Sequence, residues 1–342
     1  MKKTLIASAV AAVSMASVAQ AAEMANMPEF YGNIQLAYVH NSTEQGSTET
    51  TSNDFADNGS TIGWKHSHEI SPGLTGFLKV EVDFDADDKS TSQVSNGYDV
   101  DNDGNDDATD TAFAQLDEAY IGVKGDFGSV QIGSDDTVYE WWDVIDISEA
   151  VGISGEFKTA AVHEGDNVQY VSPTIAGGLT IGVTMALDST ETHTGALGAK
   201  YKTDMFEVIL GYSMGREEAG VDTGDGIGLG AKVFLGDLTL GAQYETKSAD
   251  SSAGVDDKST DQSGYGLIAI YSLGASQLAA GYYADEDDQT NAVENSQFYL
   301  QALHNVSDNM YAYVEYVSGT KEQSGSQDID TEDFAIGATY TF

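Results

Sequence analysis

The chain has no cysteine and only three prolines, and it sets 14 lysines and arginines against 56 aspartates and glutamates in 342 residues. Each shortage excludes something. Without cysteine there is no disulfide framework, thiolate metal site or cysteine nucleophile. A formal net charge of −42 leaves no surface to grip a phosphate backbone, so no nucleic-acid partner is expected. Beyond the first residues no run approaches the ~20 apolar residues of a membrane-spanning helix, and helical i, i+3, i+4 stripes are missing except within Val138–Val151. P-loop and His-Glu-x-x-His motifs are missing too, and the six histidines assemble with no nucleophile, so no enzyme is expected. A hydrophobic content of 41% nevertheless excludes a disordered acidic chain, so something folds.

The first residues address the compartment. Met1-Lys2-Lys3 is a basic start, Leu5 to Val18 is apolar and small, and Ala19-Gln20-Ala21 has the small-x-small pattern that signal peptidase reads. Residues 1–21 therefore read as a signal peptide, with residues 22–342 as the mature chain. Losing Lys2 and Lys3 takes the net charge from −42 to −44.

Most of the mature chain has period two. Leu238, Leu240, Ala242 and Tyr244 alternate with Thr239, Gly241, Gln243 and Glu245; Phe334, Ile336, Ala338, Tyr340 and Phe342 alternate with Ala335, Gly337, Thr339 and Thr341. Such alternation means strands with one apolar and one polar face. Short turns (70–73, 124–128, 173–178, 202–204, 235–237, 273–276, 306–309) alternate with long polar connections (40–56, 85–111, 134–165, 187–194, 215–225, 247–262, 284–293, 318–331). Seven turns and eight loops separate sixteen strands. An even number of antiparallel strands, with turns at one rim and loops at the other, fits an all-β, 16-stranded antiparallel transmembrane β-barrel of a Gram-negative outer membrane. A soluble sandwich is the alternative. Against it stand the aromatics near strand ends (Phe30, Tyr31, Tyr38, Trp64, Tyr120, Tyr201, Tyr271, Tyr282, Tyr316, Tyr340), which read as interfacial girdles, and the terminal aromatic strand.

Specific stretches carry a family resemblance. Glu29-Phe30-Tyr31-Gly32-Asn33-Ile34 looks like a porin first strand, and Ser60-Thr61-Ile62-Gly63-Trp64-Lys65 is similar to S-R-I-G-F-K. The run Ala119-Tyr120-Ile121-Gly122-Val123-Lys124-Gly125-Asp126-Phe127-Gly128, continuing to Gly133, resembles A-Y-V-G-L-K-G-x-F-G-x-V-x-x-G. Asn167-Val168-Gln169-Tyr170-Val171-Ser172-Pro173 looks like the strand after the constriction loop. Together they resemble the general, trimeric porins of Gram-negative bacteria over nearly the whole mature chain. The resemblance implies short periplasmic turns, long extracellular loops, and a third loop, about 134–165, inserted into the barrel. It also implies a homotrimer in outer-membrane lipid, and Phe342 as the terminal aromatic read by the assembly machinery. The length of that loop without clear structure independently marks it as functional.

In such porins, acidic groups on the inserted loop face arginines on the wall. Here the loop side carries Asp135, Asp136, Glu140, Asp143, Asp146 and Glu149, while Thr61, Asp117, Ser134 and Gln169 occupy positions where the family has arginine. The sole arginine, Arg216, falls in a long loop, and Lys65 and Lys79 have the inward strand parity to supply positive wall charge. The expectation is a negative constriction.

Three local motifs each have two readings. Asp99, Asp101, Asp103, Asn105, Asp107 and Asp110, with Gly104 at the turn, fit an oxygen-ligand Ca2+ loop; without flanking helices, a solvated acidic tip fits as well. His66-x-His68 is a metal pair or interfacial packing beside Trp64, and Trp141-Trp142 is a stacking platform for sugars or wall packing. No cofactor is otherwise expected. The leading functional expectation is a water-filled channel for passive diffusion of small hydrophilic solutes and ions, with cations preferred. A substrate-specific channel, and an adhesin or structural outer-membrane protein working through its acidic loops, are the alternatives.

Overall fold

The computed structural model describes residues 27–87, 94–95, 109–110, 114–151, 165–187, 194–215, 217–218, 221–222, 224–248, 261–287 and 293–342. One antiparallel sheet contains nearly everything. Its strands are β1 (Glu29–Gln45), β2 (Thr48–Asp57 and Ser60–Ser71), β3 (Leu74–Phe84), β4 (Ala114–Gly125), β5 (Gly128–Ser134), β6 (Asn167–Val171), β7 (Leu179–Ala186) and β8 (Gly195–Lys202). The second half comprises β9 (Phe206–Ser213), β10 (Asp225–Leu235), β11 (Leu238–Ser248), β12 (Gln262–Leu273), β13 (Ser276–Asp287), β14 (Val293–Ser307), β15 (Met310–Gln323) and β16 (Ile329–Thr341). The two segments of β2 both pair with β1 and form one strand, interrupted at Asn58-Gly59. There Asp57 accepts bonds from the Gly59 and Ser60 amides, and Gly59 takes φ +94°.

Each strand pairs with its sequence neighbour, and β1 pairs with β16 from Asn33↔Thr341 to Gln45↔Ile329, closing a barrel of sixteen strands. Phe342 completes the seam. Its N–H donates to the Gly32 carbonyl at 3.0 Å, its carbonyl accepts the Gly32 N–H at 3.1 Å, and its ring packs 5.7 Å from Phe30. All seven expected short turns lie between strands at one rim.

The burial pattern is inverted relative to a soluble domain. On β11 the apolar Tyr244 is 47% exposed while its neighbour Glu245 is 1% exposed. The outward face is apolar and the inward face polar, as a lipid-embedded barrel requires.

Two expectations need correction. The connections 40–56 and 318–331 are mostly strand: β1 runs to Gln45 and β2 starts at Thr48, while β15 runs to Gln323 and β16 starts at Ile329. Pairing continues because β1 is hydrogen-bonded on both sides up to Gln45, and both faces there are polar, so no apolar period marks the extension. Also, Tyr31 and Tyr120 are not girdle residues. Tyr31 lies over inward Gly63, with the Lys65 and Lys79 ammonium groups 5.0 and 5.9 Å from its ring centre. Tyr120 meets inward Phe77 edge-on at 6.2 Å.

The third loop leaves β5 and crosses the interior. Its helix-like stripe becomes a single 3-10 turn, Val138–Trp142, opened by a capping box in which Thr137 and Glu140 bond reciprocally. The turn packs on β7–β10, where inward glycines leave room. A Cβ on Gly182 would stand 2.6 Å from the Trp141 ring, and one on Gly211 2.7 Å from the Trp142 ring; Gly228 and Gly230 are closed by Trp142 itself. Trp142 is fully buried. Both tryptophans pack against the wall. Gly228→Val should force Trp142 off it, an overpacking cost of about 1–3 kcal/mol, and so expose the third loop to limited proteolysis in the folded barrel. Ala231→Val, on the outward face of the same strand, should leave the digestion pattern unchanged.

Candidate functional site

A loop inside a barrel must find partners for its own backbone, since a buried amide left unpaired costs about 1–3 kcal/mol. Three wall side chains provide them. Thr184 Oγ1 on β7 accepts the Val138 N–H at 3.2 Å, and Gln243 Oε1 on β11 accepts the Val144 and Ile145 N–H groups at 2.8 and 3.1 Å. Glu315 on β15, wholly buried, accepts those of Glu149, Ala150 and Val151 at 2.6, 2.7 and 3.1 Å. Tyr299 OH and Gln301 Nε2 also donate to Glu315, at 2.7 and 3.1 Å, and Tyr139 OH donates to Glu245 at 2.7 Å. Sequence reasoning singles out none of these anchors; their inward parity is legible, but the pairing with residues 46 to 166 positions away is not.

A second set of charged side chains lies on β2, β3 and β4. Lys65 and Lys79 are directly opposite each other in the β2–β3 register. Lys65 pairs with Glu29 at 3.1 Å near the short-turn rim; Lys79 pairs with Glu118 at 2.6 Å and Glu81 at 3.6 Å. A bulge in β4 opposite Glu81/Val82 inserts one residue, so that Glu118 comes to face Glu81. Carboxylate oxygens of Glu81, Asp117 and Glu118 converge within 4.8 Å of one another. Glu81 and Glu118 belong to no motif that marks them in the sequence, and only the register brings them to Lys79.

The other sequence-derived positions separate into groups. Asp135 accepts from Gln131 and, at 3.5 Å, from Gln169; burial holds its carboxyl above the usual carboxylate range against the pull of Gln131. Asp136 follows it in the half-buried start of the loop. Glu140 caps the 3-10 turn, Asp143 accepts the Ile145 and Asp146 amides, and Asp146 accepts from Ser148. Glu149 accepts the Tyr311 hydroxyl at 2.9 Å. Thr61 accepts from Asn33 at 2.8 Å on the inner wall, and Ser134 ends β5 opposite Ala119. Of the calcium-loop residues, Asp110 lies in a two-residue strand paired with Val94–Ser95; Asp99, Asp101, Asp103, Asn105 and Asp107 lie outside the described residues, as does Arg216. His66 and His68 stack at 5.5 Å.

A family model described as Gram-negative porin matches residues 7–326. The chain belongs to the Gram-negative porin family. It is 31% identical to a monosaccharide porin of Halomonas sp. and to the major outer membrane protein of Halomonas elongata, each alignment covering the whole of both chains. Among solved structures, an anion-selective porin from Comamonas acidovorans superposes with a TM-score of 0.73 at 15% identity, over 92% of this chain and 99% of that one. OmpF of Salmonella typhi gives 0.70 at 17%, over 94% and 99%. The porin is an outer-membrane channel.

Glu315 is the heaviest single anchor of the third loop. Glu315→Ala should orphan three loop amides, at about 1–3 kcal/mol each, and release the loop tip. The expected readout is a noisier, altered single-channel conductance, with Glu315→Gln, which keeps an acceptor oxygen, much closer to the parent. Identical traces for parent and Ala variant would show that Glu315 does not hold the loop.

Proposed function

We propose that this porin forms a water-filled channel for passive diffusion of small hydrophilic solutes and ions, and that it prefers cations. The observation that carries the preference is the pairing of Lys79. The one lysine on the wall beside Asp135 is bonded to Glu118 and flanked by Glu81, with Asp117 close by. Where related channels would offer positive wall charge, Lys79 is surrounded by carboxylates and its cross-strand neighbour Lys65 is paired with Glu29. At ~4 Å, unit charges interact by about 1 kcal/mol in water and several at an effective dielectric near 20, so a narrow lumen amplifies the surplus.

The mature chain then begins at Ala22, and the functional unit is a homotrimer. Support for the trimer comes from the family and from fold relatives such as an OmpT of Vibrio cholerae described in a trimer form. A second reading, saccharide selectivity within the same channel, is favoured by the Halomonas relative's name and by inward Tyr31, Phe77 and Tyr120 beside Lys79. Concentration-dependent block of the ion current by a monosaccharide is its signature.

Zero-current potentials under a KCl gradient test the charge preference. The parent should give the cation-selective sign, weakening as the Debye length falls from about 10 Å at 0.1 M to 3 Å at 1 M salt. Thr61→Arg with Asp117→Arg should reduce or reverse it. An anion-selective parent would overturn the proposal.

A further inference from the structure

Five of the eight lysines among the described residues, Lys65, Lys124, Lys200, Lys202 and Lys232, lie on the periplasmic half of the strands. Two of the glycines that receive the third loop are each followed, one inward position nearer the periplasmic turns, by a lysine: Gly198 by Lys200 on β8, and Gly230 by Lys232 on β10. Lys202 ends β8. Register places Lys202 opposite Glu207 on β9, and Glu207 opposite Lys232, so two lysines flank one glutamate across three adjacent strands, with Lys200 one inward position along β8. Lys202 reaches Glu207 at 3.5 Å, and the Lys200 ammonium stands 4.4 Å from the centre of the Trp141 ring, directly beneath the loop. On the same half, Lys124 is inward over Phe77, and Lys65 is inward near the rim. Exposed carboxylates on this side, such as Glu29, Asp204 and Asp237, lie at the rim or in the turns, where solvent screens them.

At the level of the loop and on its extracellular side the sign reverses: Glu81, Glu118, Asp135, Glu245, Asp285 and Glu315 on or against the wall outnumber Lys79, Lys247 and Lys321, each of which has a carboxylate beside it.

We infer that Lys200, Lys202 and Lys232 form an anion-accommodating patch on the periplasmic side of the constriction, so that charge is separated along the pore axis and the channel rectifies. The inference rests on the channel reading but not on any one solute. An acidic zone admits cations from the extracellular mouth and a basic zone admits anions from the periplasmic mouth. When the extracellular side is positive, both ions are driven towards the junction and accumulate; with the opposite polarity both are drawn away and the junction is depleted. Current should therefore be larger with the extracellular side positive.

The experiment is a current–voltage curve on single channels in symmetric KCl. The chain has no cysteine, so Gln327→Cys, biotinylated at the loop tip and bound by streptavidin added to one chamber, reports orientation. At 0.1 M KCl the parent should pass at least ~1.5-fold more current in the stated direction, with the ratio approaching unity at 1 M as screening tightens. K200Q/K202Q/K232Q should bring the 0.1 M ratio to unity while increasing the cation preference, and Glu207→Gln should raise the ratio. A symmetric parent curve with steady conductance and a cation-selective zero-current potential would overturn the inference and leave the channel reading intact. Unchanged asymmetry in the triple variant would also overturn it, and no conductance at all would overturn both.

Discussion

Hydrocarbon offers no hydrogen bonds, so every backbone amide and carbonyl that crosses the membrane must find its partner in the chain. That constraint makes the sheet close on itself through β1 and β16, and closure in turn creates a lumen whose lining need not be apolar. Gly, Thr, Gln and Glu are admitted inward because the lipid face already supplies the apolar contacts. The buried Glu245 and Glu315 are tolerated in the same way: each lies in a polar interior, with hydroxyl or amide donors within 3.1 Å.

The same constraint governs the third loop. It enters a space walled by paired strands that have no backbone donors or acceptors to spare, so side chains take that part. Thr184, Gln243 and Glu315 accept six loop amides between them. Glycines opposite Trp141 and Trp142 allow the backbone to approach closely. Shape and hydrogen bonding thus fix the loop against β7–β15, leaving its Asp135 end towards the Lys79 wall. Asp135 itself is held by Gln131 and Gln169 of the strands beside it.

Much of this architecture is legible in the sequence. Period-two alternation survives wherever a strand has a lipid face, and Gly, Pro and Asp at the short turns mark all seven. The parts that escape have specific causes. The β1–β2 and β15–β16 hairpins carry threonine, serine and glutamate on both faces, so nothing alternates. Glu118 is hidden because the bulge at Asp117 changes which residue faces Glu81, and a bulge leaves no mark in composition. Tyr31 reads as a girdle residue by its place near a strand end, yet its parity differs from that of Phe30, which packs outward on Trp64. The loop anchors depend on contacts between residues far apart in sequence.

The seam at Phe342 also bears on how the molecule comes into being. Asn33 and Thr341 are partners at opposite ends of the chain, so the pairing that makes the barrel whole is the one of greatest sequence separation, entropically the most demanding to form. Until β16 arrives, β1 presents an open edge that any other strand could join. An export pathway that delivers the polypeptide amino end first must therefore shield that edge while the fourteen intervening strands cross.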